Sequence, residues 1–367
     1  MRKFEKPIYV TMPTLAPLDE VDAYLGEIWA SGVMTHNGPL VRRFEKDFSA
    51  WCGVDKIVAV CNGTLAIQLA IRALDLPKGG EIITTPFTFI ATISSILYEG
   101  YKPVFVDIDS ETLNIDPKGI EAAITDKTVA ILPVHVFGNP CDVEEIDRIA
   151  ARHNLKVIYD AAHAVGVKVN GKSVFSYGDV SATSFHATKL LNTSEGGGII
   201  AKDLAVDEHL RELRFFGYNA EKDVVRIGTN AKMTEVNAAI GLANLKYLDA
   251  ILSDRREKYN LYKSILSLGS NLTFQKIKTT CNCSYFPVIF ETEALLKKVD
   301  NDLKSKNVFP RRYFWPSVNT YETICRDYEA CRKSEDIANR ILCLPLYRTL
   351  SADEIEIIAG IVREGAR

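Results

Sequence analysis

The sequence predicts an α/β fold: a largely parallel sheet covered by helices on both faces, followed by a smaller C-terminal α+β domain. Three observations carry this. Apolar strand-like runs alternate with helix-like stretches as far as residue 201, chain breakers fall at the junctions, and after Ala239 the alternation gives way to one long helical pattern. Taken in order, Ile57-Val-Ala-Val60 is an apolar run that reads as a strand, and the alanine-rich stretch 65–74 reads as the helix after it. Strands are expected at 81–84, 103–107, 129–135, 155–159 and 198–201, with helices at 90–98, 117–124 and 142–152 between them. Pro77-Lys-Gly-Gly80, Gly138-Asn-Pro140 and Gly196-Gly-Gly198 supply the connections. The stretch 240–266, rich in Leu, Ala, Lys, Arg and Tyr, predicts a long helix that links a large domain, 1–245, to a small one, 246–367.

Composition narrows the function classes. A chain of 367 residues with 47% hydrophobic and 25% charged content is long enough for two domains and a sizeable core. Its net charge of −3 gives no broad basic surface, so the electrostatic term that dominates nucleic-acid binding is missing. The charged start Met1-Arg-Lys-Phe-Glu-Lys-Pro7 leads into no apolar signal region, and runs such as 129–137 are too short to span a bilayer, so a cytoplasmic protein is expected. Most of the eight cysteines are scattered, and Cys281-Asn-Cys283 is too tight for the usual metal or redox spacing, which predicts reduced thiols and no metal site.

The chemistry concentrates around Lys189. The stretch Ser184-Phe-His-Ala-Thr-Lys-Leu-Leu-Asn-Thr-Ser-Glu-Gly-Gly197 combines an amine nucleophile, hydroxyl donors and a glycine run. Upstream, Val157-Ile-Tyr-Asp-Ala-Ala-His163 delivers Asp160 and His163 at the C-terminal end of an apolar strand, where open α/β sheets bind ligands. Pyridoxal phosphate requires a carboxylate to keep its pyridinium nitrogen protonated and a lysine to hold its aldehyde. Cys61-Asn-Gly-Thr64, between a strand and a helix start, offers free backbone amides suited to a phosphate; the same four residues would also serve as an ordinary Asn-Gly turn with a Thr cap.

Together with Met34-Thr-His-Asn-Gly-Pro39, Thr84-Thr-Pro-Phe-Thr-Phe-Ile-Ala-Thr92, Pro103-Val-Phe-Val-Asp-Ile-Asp109, Gly228-Thr-Asn-Ala-Lys-Met-Thr-Glu-Val-Asn-Ala-Ala239 and Leu344-Pro-Leu-Tyr347, these segments resemble the DegT-type sugar-nucleotide aminotransferases, a branch of the fold-type-I pyridoxal-phosphate enzymes. The resemblance runs from about Pro13 to Tyr347. It implies a three-layer sandwich, with Lys189 as the Schiff-base lysine and proton shuttle and Asp160 as partner of the pyridinium nitrogen. Ser184, Gly63 and Thr64 would hold the phosphate, joined by Asn230 from a neighbouring subunit, which implies a homodimer with shared sites. Phe89 matches the aromatic that stacks on the pyridine ring, although Phe87 and Phe89 lie in a segment that could simply be core. His163 stands where many relatives carry glutamine, and either a contact with the ring hydroxyl or a satisfied interior histidine fits. His186 would line the substrate or phosphate side.

Dehydratases of this family carry histidine in place of the lysine, so Lys189 favours transamination over elimination. The implied reaction is ping-pong: L-glutamate leaves its amino group on the cofactor, and a nucleotide-linked keto sugar takes it up. The paired arginines and aromatics of Arg311-Arg312-Tyr313-Phe-Trp315 could meet a diphosphate and a base or sugar ring, or form a basic surface turn. By general likeness around Phe185-His-Ala-Thr-Lys189 the acceptor is expected to be dTDP-4-keto-6-deoxyglucose, with amination at carbon 3 of a dTDP sugar, or of a GDP-linked 4-keto sugar, as competitors. Other pyridoxal-phosphate reactions, and a non-catalytic sensor, complete the alternatives.

Overall fold

The computed structural model describes residues 3–268, 271–325 and 330–366. Seven strands form the central sheet in the order Val58–Val60, Gly197–Ala201, Val180–Ser184, Lys156–Asp160, Thr128–Leu132, Glu81–Thr84, Lys102–Phe105. Six run the same way, and Gly197–Ala201 is antiparallel to both its neighbours. The "largely parallel" expectation therefore holds, with one reversed strand inside the sheet.

Strand period sorts the side chains into two layers. Ile83, Val157 and Tyr159 face a core closed by the helices Pro39–Cys52, Val143–His153 and Glu235–Leu245, whereas Ile82 and Ile158 face one closed by Gly63–Ala73 and Leu204–Arg214. Helices thus cover both faces, which is why the strands read as continuous apolar runs. Thr84, Asp160 and Ser184 all lie at C-terminal strand ends and so share one edge of the sheet.

Beyond it, a three-stranded antiparallel sheet, Thr273–Phe274, Phe286–Ile289 and Ile341–Leu344, packs with the helices Leu248–Leu266, Glu293–Ser305 and Ala352–Gly365 around Tyr262, Phe286, Val299, Leu344 and Ile358. The long helix expected over 240–266 is two helices, Glu235–Leu245 and Leu248–Leu266, interrupted at Lys246 and Tyr247. Both residues at the break bond Glu20 of the helix Leu18–Ser31, which ties the junction to that helix. Strand Val180–Ser184 was not foreseen, because its Ser181, Thr183 and Ser184 hide a fully buried strand behind polar composition. No helix among the described residues is long and apolar enough to cross a membrane.

Candidate active site

The buried strand Val180–Ser184 ends in a turn that carries the lysine. Phe185 is wholly buried edge-on against Phe44 and Phe48, at 5.4 and 5.1 Å between ring centroids, and its backbone N–H donates to the Gly196 carbonyl at 2.8 Å. Leu190 and Leu191 are buried on the far side. Between these apolar anchors His186, Thr188 and Lys189, with Ser184 just before them, line a cavity of about 350 Å³. The lysine backbone N–H closes the turn onto the His186 carbonyl at 2.8 Å.

Asp160 ends the neighbouring strand and is buried beneath the same cavity. One carboxylate oxygen accepts from the Ala162 N–H at 3.1 Å and the other from the Thr92 hydroxyl at 2.7 Å. Burial pushes its pKa up; the Thr92 and Ala162 donors and the charge of Lys189 oppose that. Lys189 responds in the complementary direction. Loss of hydration brings its pKa down to about 8, against the opposing pull of Asp160. His163 also lines the cavity, stacked parallel to Phe314 at 6.0 Å and tilted against Tyr285 at 4.9 Å. Its Nδ1 accepts from the Phe137 N–H at 3.3 Å, and desolvation, reinforced by Lys189, holds it well below the usual histidine range. A neutral ring with Nδ1 as acceptor carries its proton on Nε2, so His163 is a donor.

The helix Gly63–Ala73 points its N-terminus into the cavity, with Gly63 and Thr64 on the wall. The cap is Asn62, whose side-chain oxygen accepts from the Leu65 N–H at 2.8 Å, so Thr64 is not the cap that an ordinary Asn-Gly-Thr turn would make it. Its hydroxyl is left for the cavity side. Gly63 is required here by close approach: a Cβ would stand 2.8 Å from the Ser184 Cβ. Gly197 is required likewise, since a Cβ there would meet the Asn62 carbonyl oxygen at 2.5 Å.

The two phenylalanines separate. Phe87 is fully buried core, whereas Phe89 is 55% exposed and lies on the cavity wall. The arginines separate too. Arg311 lines the cavity with its guanidinium 5.1 Å from the Tyr313 ring centre, and Tyr313 lines it as well. Arg312 does not: it bonds Glu293 at 3.1 Å and the Asn339 carbonyl at 2.9 Å and covers Trp315. Arg311 is bridged to Cys343 in an extended segment, where neighbouring side chains leave on opposite sides, so only one of the pair reaches the cavity. Asn230 is exposed and outside this cavity, accepting a hydrogen bond from Lys232.

Thr88, Thr92, Glu195 and Tyr285 surround the site and escaped sequence reasoning, whereas Phe314, also on the wall, belongs to the aromatic run already singled out. The threonine-rich run 84–92 and Glu195, next to the glycines, were the available signals. A larger open depression of about 650 Å³ around His36, Arg211 and Lys232 holds neither Lys189 nor Asp160. No group of three or more His, Cys, Asp or Glu side chains suited to a metal occurs among the described residues.

Comparison with known proteins places the chain in a family. The chain is 44% identical over 366 residues to a dTDP-4-amino-4,6-dideoxy-D-glucose transaminase of Shigella dysenteriae, covering 98% of this chain and 99% of that protein. It is 33% identical to a GDP-perosamine synthase of Escherichia coli O157:H7, covering 98% of both. The crystal structure of DesI with its TDP-sugar product superposes with a TM-score of 0.93 at 32% identity, covering 100% of this chain and 94% of that one. With residues 18–363 matching its family model, the chain belongs to the DegT/DnrJ/EryC1/StrS aminotransferase family.

Proposed function

We propose that the protein is a pyridoxal-phosphate-dependent transaminase that moves an amino group from L-glutamate to a keto-6-deoxy nucleotide sugar. The acceptor we favour is dTDP-4-keto-6-deoxyglucose, giving dTDP-4-amino-4,6-dideoxyglucose. The observation that carries the reaction class is one cavity holding an amine with its pKa lowered to about 8, a buried carboxylate and a neutral histidine. The 44% identical relative supports the choice of sugar.

The residues suit the cofactor. An isolated buried carboxylate is costly unless a cation meets it, and a pyridinium nitrogen is such a cation. The Gly63 and Thr64 amides at a helix N-terminus, with the Ser184 hydroxyl beside them, suit a phosphate, and the exposed Phe89 suits the face of an aromatic ring. Bound pyridoxal phosphate supplies an aldehyde to carry the amino group and an electron sink that lowers the barrier to proton removal next to nitrogen.

Each side chain then has defined work. Lys189 Nζ holds the cofactor between turnovers, takes the proton from the donor carbon and returns one to the sugar carbon; an amine that titrates near 8 can do both at neutral pH. Asp160 would keep the proton on the ring nitrogen, and His163, with its donor on Nε2, would serve the ring hydroxyl. His186 and Tyr313 line the substrate side, and Arg311 meets the diphosphate or a donor carboxylate through its planar fork. Asn230, exposed and outside its own cavity, serves the phosphate of a second subunit, which makes the working unit a homodimer. We place the division between the cofactor-binding part, 1–245, and the smaller part, 246–367, at the helix break. The product fits synthesis of cell-surface sugars such as the O-antigen of lipopolysaccharide, in the cytoplasm.

The test is an absorbance titration of the cofactor-loaded protein. L-Glutamate should bleach the band of the lysine-bound cofactor and dTDP-4-keto-6-deoxyglucose should restore it. Restoration only by a GDP-4-keto sugar, as the 33% identical relative allows, would reassign the acceptor; failure of glutamate to bleach the band would reject the donor.

A further inference from the structure

Asp160 is held by a chain of hydroxyls that the reaction scheme above does not use. The Thr92 hydroxyl lies 2.7 Å from one carboxylate oxygen of Asp160, and 2.7 Å on its other side stands the Thr88 hydroxyl. Thr88 and Thr92 are 2% and 0% exposed, so neither exchanges these partners for bulk water. The proton directions are forced. An ionised carboxylate only accepts, so Thr92 spends its single proton on Asp160 and must accept from Thr88. If Asp160 were protonated on that oxygen, both hydroxyls would have to turn round.

Thr92 sits in the first turn of the helix Ile90–Tyr98, and its backbone N–H donates to the Phe89 carbonyl at 3.1 Å. Residues 88–92 therefore carry both the Phe89 ring on the cavity wall and the hydroxyl that grips Asp160. The grip ties the position of the acid to that of the aromatic wall.

We propose that Thr92 is a positioning residue: it pins Asp160 as a directed carboxylate, with Thr88 donating behind it, and so sets how tightly the cavity holds a protonated pyridine ring. The inference rests on the reading of Asp160 as the ring-nitrogen partner. Of the other titratable groups, Lys189 and His163 line the same cavity as Asp160, and Cys141 lies within reach of its charge. Burial raises Asp160 and the Thr92 donor lowers it, so removing the hydroxyl raises it further. The carboxylate is then lost at a higher pH as pH falls.

The probe is pyridoxamine 5′-phosphate, which forms no imine with Lys189; that amine still changes charge near pH 8, so each variant is read as its difference from the wild-type profile. The probe's dissociation constant is measured across about pH 6 to 8.5 for wild type, Thr92→Val, Thr92→Ser, Thr88→Val and Asp160→Asn. Thr92→Val keeps the shape and removes the donor; it should weaken binding on the order of tenfold at the acid end, with the gap narrowing as pH rises. Thr92→Ser should overlay the wild type, and Thr88→Val should shift the profile the same way by less. A loss in Thr92→Val that is equal at every pH, or one that serine does not rescue, would mean a merely structural role and overturn the inference. If Thr92→Val does not fold, an unshifted Thr88→Val profile overturns it. Weak binding by Asp160→Asn beside a wild-type profile for Thr92→Val would sink the Thr92 role alone, whereas wild-type binding by Asp160→Asn would sink the Asp160 reading and the Thr92 role with it.

Discussion

At the scale of single residues, the site works by desolvation. Lys189 and Asp160 are both short of water, and each is pushed toward its neutral form while the other's charge pulls it back. For Lys189 the folded pKa of about 8 lies below the ordinary lysine value. Between those two values the unfolded chain binds more protons, so this residue's contribution to the stability of the unliganded protein rises with pH across that window. The same depression supplies free amine near neutrality. The rate at which the unliganded protein takes up pyridoxal phosphate should therefore climb with pH through about 8 and level off above it, as followed by stopped-flow absorbance. A climb that continues unchanged toward pH 10 would show an ordinary lysine. Lys189 and Asp160 were legible as candidates because residue type and strand-end placement carry most of their chemistry. Glu195 and Thr92 were not, because a lone acid or hydroxyl acquires meaning only from what folds against it.

At the scale of elements, helix ends decide where side chains point. The helix Pro39–Cys52 begins at Gly38, which has no side chain to cap it. The cap comes from across the fold: the buried Glu235 carboxylate accepts from the Leu40 N–H at 2.7 Å and the Val41 N–H at 3.0 Å. Gly38 must be glycine, since a Cβ would lie 2.6 Å from the Glu235 carboxyl carbon. Glu235→Ala would leave two buried donors without a charged acceptor and should cost about 3 kcal/mol in urea unfolding, with Glu235→Gln recovering part of it. A loss within error of zero would show that water replaces the carboxylate. No local sequence signal joins residues 38 and 235, so this cap could not be read in advance. The strands at 81–84 and 198–201 and the helix at 90–98 were readable because strands buried on both faces and apolar helices print their pattern locally.

At the scale of the whole molecule, the sheet edge gathers one wall of the cavity and the smaller sheet's side supplies the other through Tyr285, Arg311 and Tyr313. Asn230 is left outside, and that makes a subunit-mixing experiment decisive for the proposed dimer. Lys189→Arg and Asn230→Ala homodimers should each be inactive or poorly loaded. In a mixed dimer one site carries both changes and the other none, so mixing should restore up to one wild-type site per dimer in an assay of amino transfer. No recovery on mixing would place both residues in one subunit's site or remove Asn230 from it. The sequence by itself determined the alternating α/β order and the family, and it singled out as candidates the lysine and aspartate that one cavity brings together, because each depends on local pattern or on residue identity. Tertiary structure alone decided that Phe89 faces the cavity while Phe87 does not, that Arg311 reaches it while Arg312 packs on Trp315, and that Thr92 meets Asp160 across 68 positions. The physical reason is that burial, side-chain direction and proton direction are set by contacts between segments distant in sequence, which leave no periodic trace along the chain.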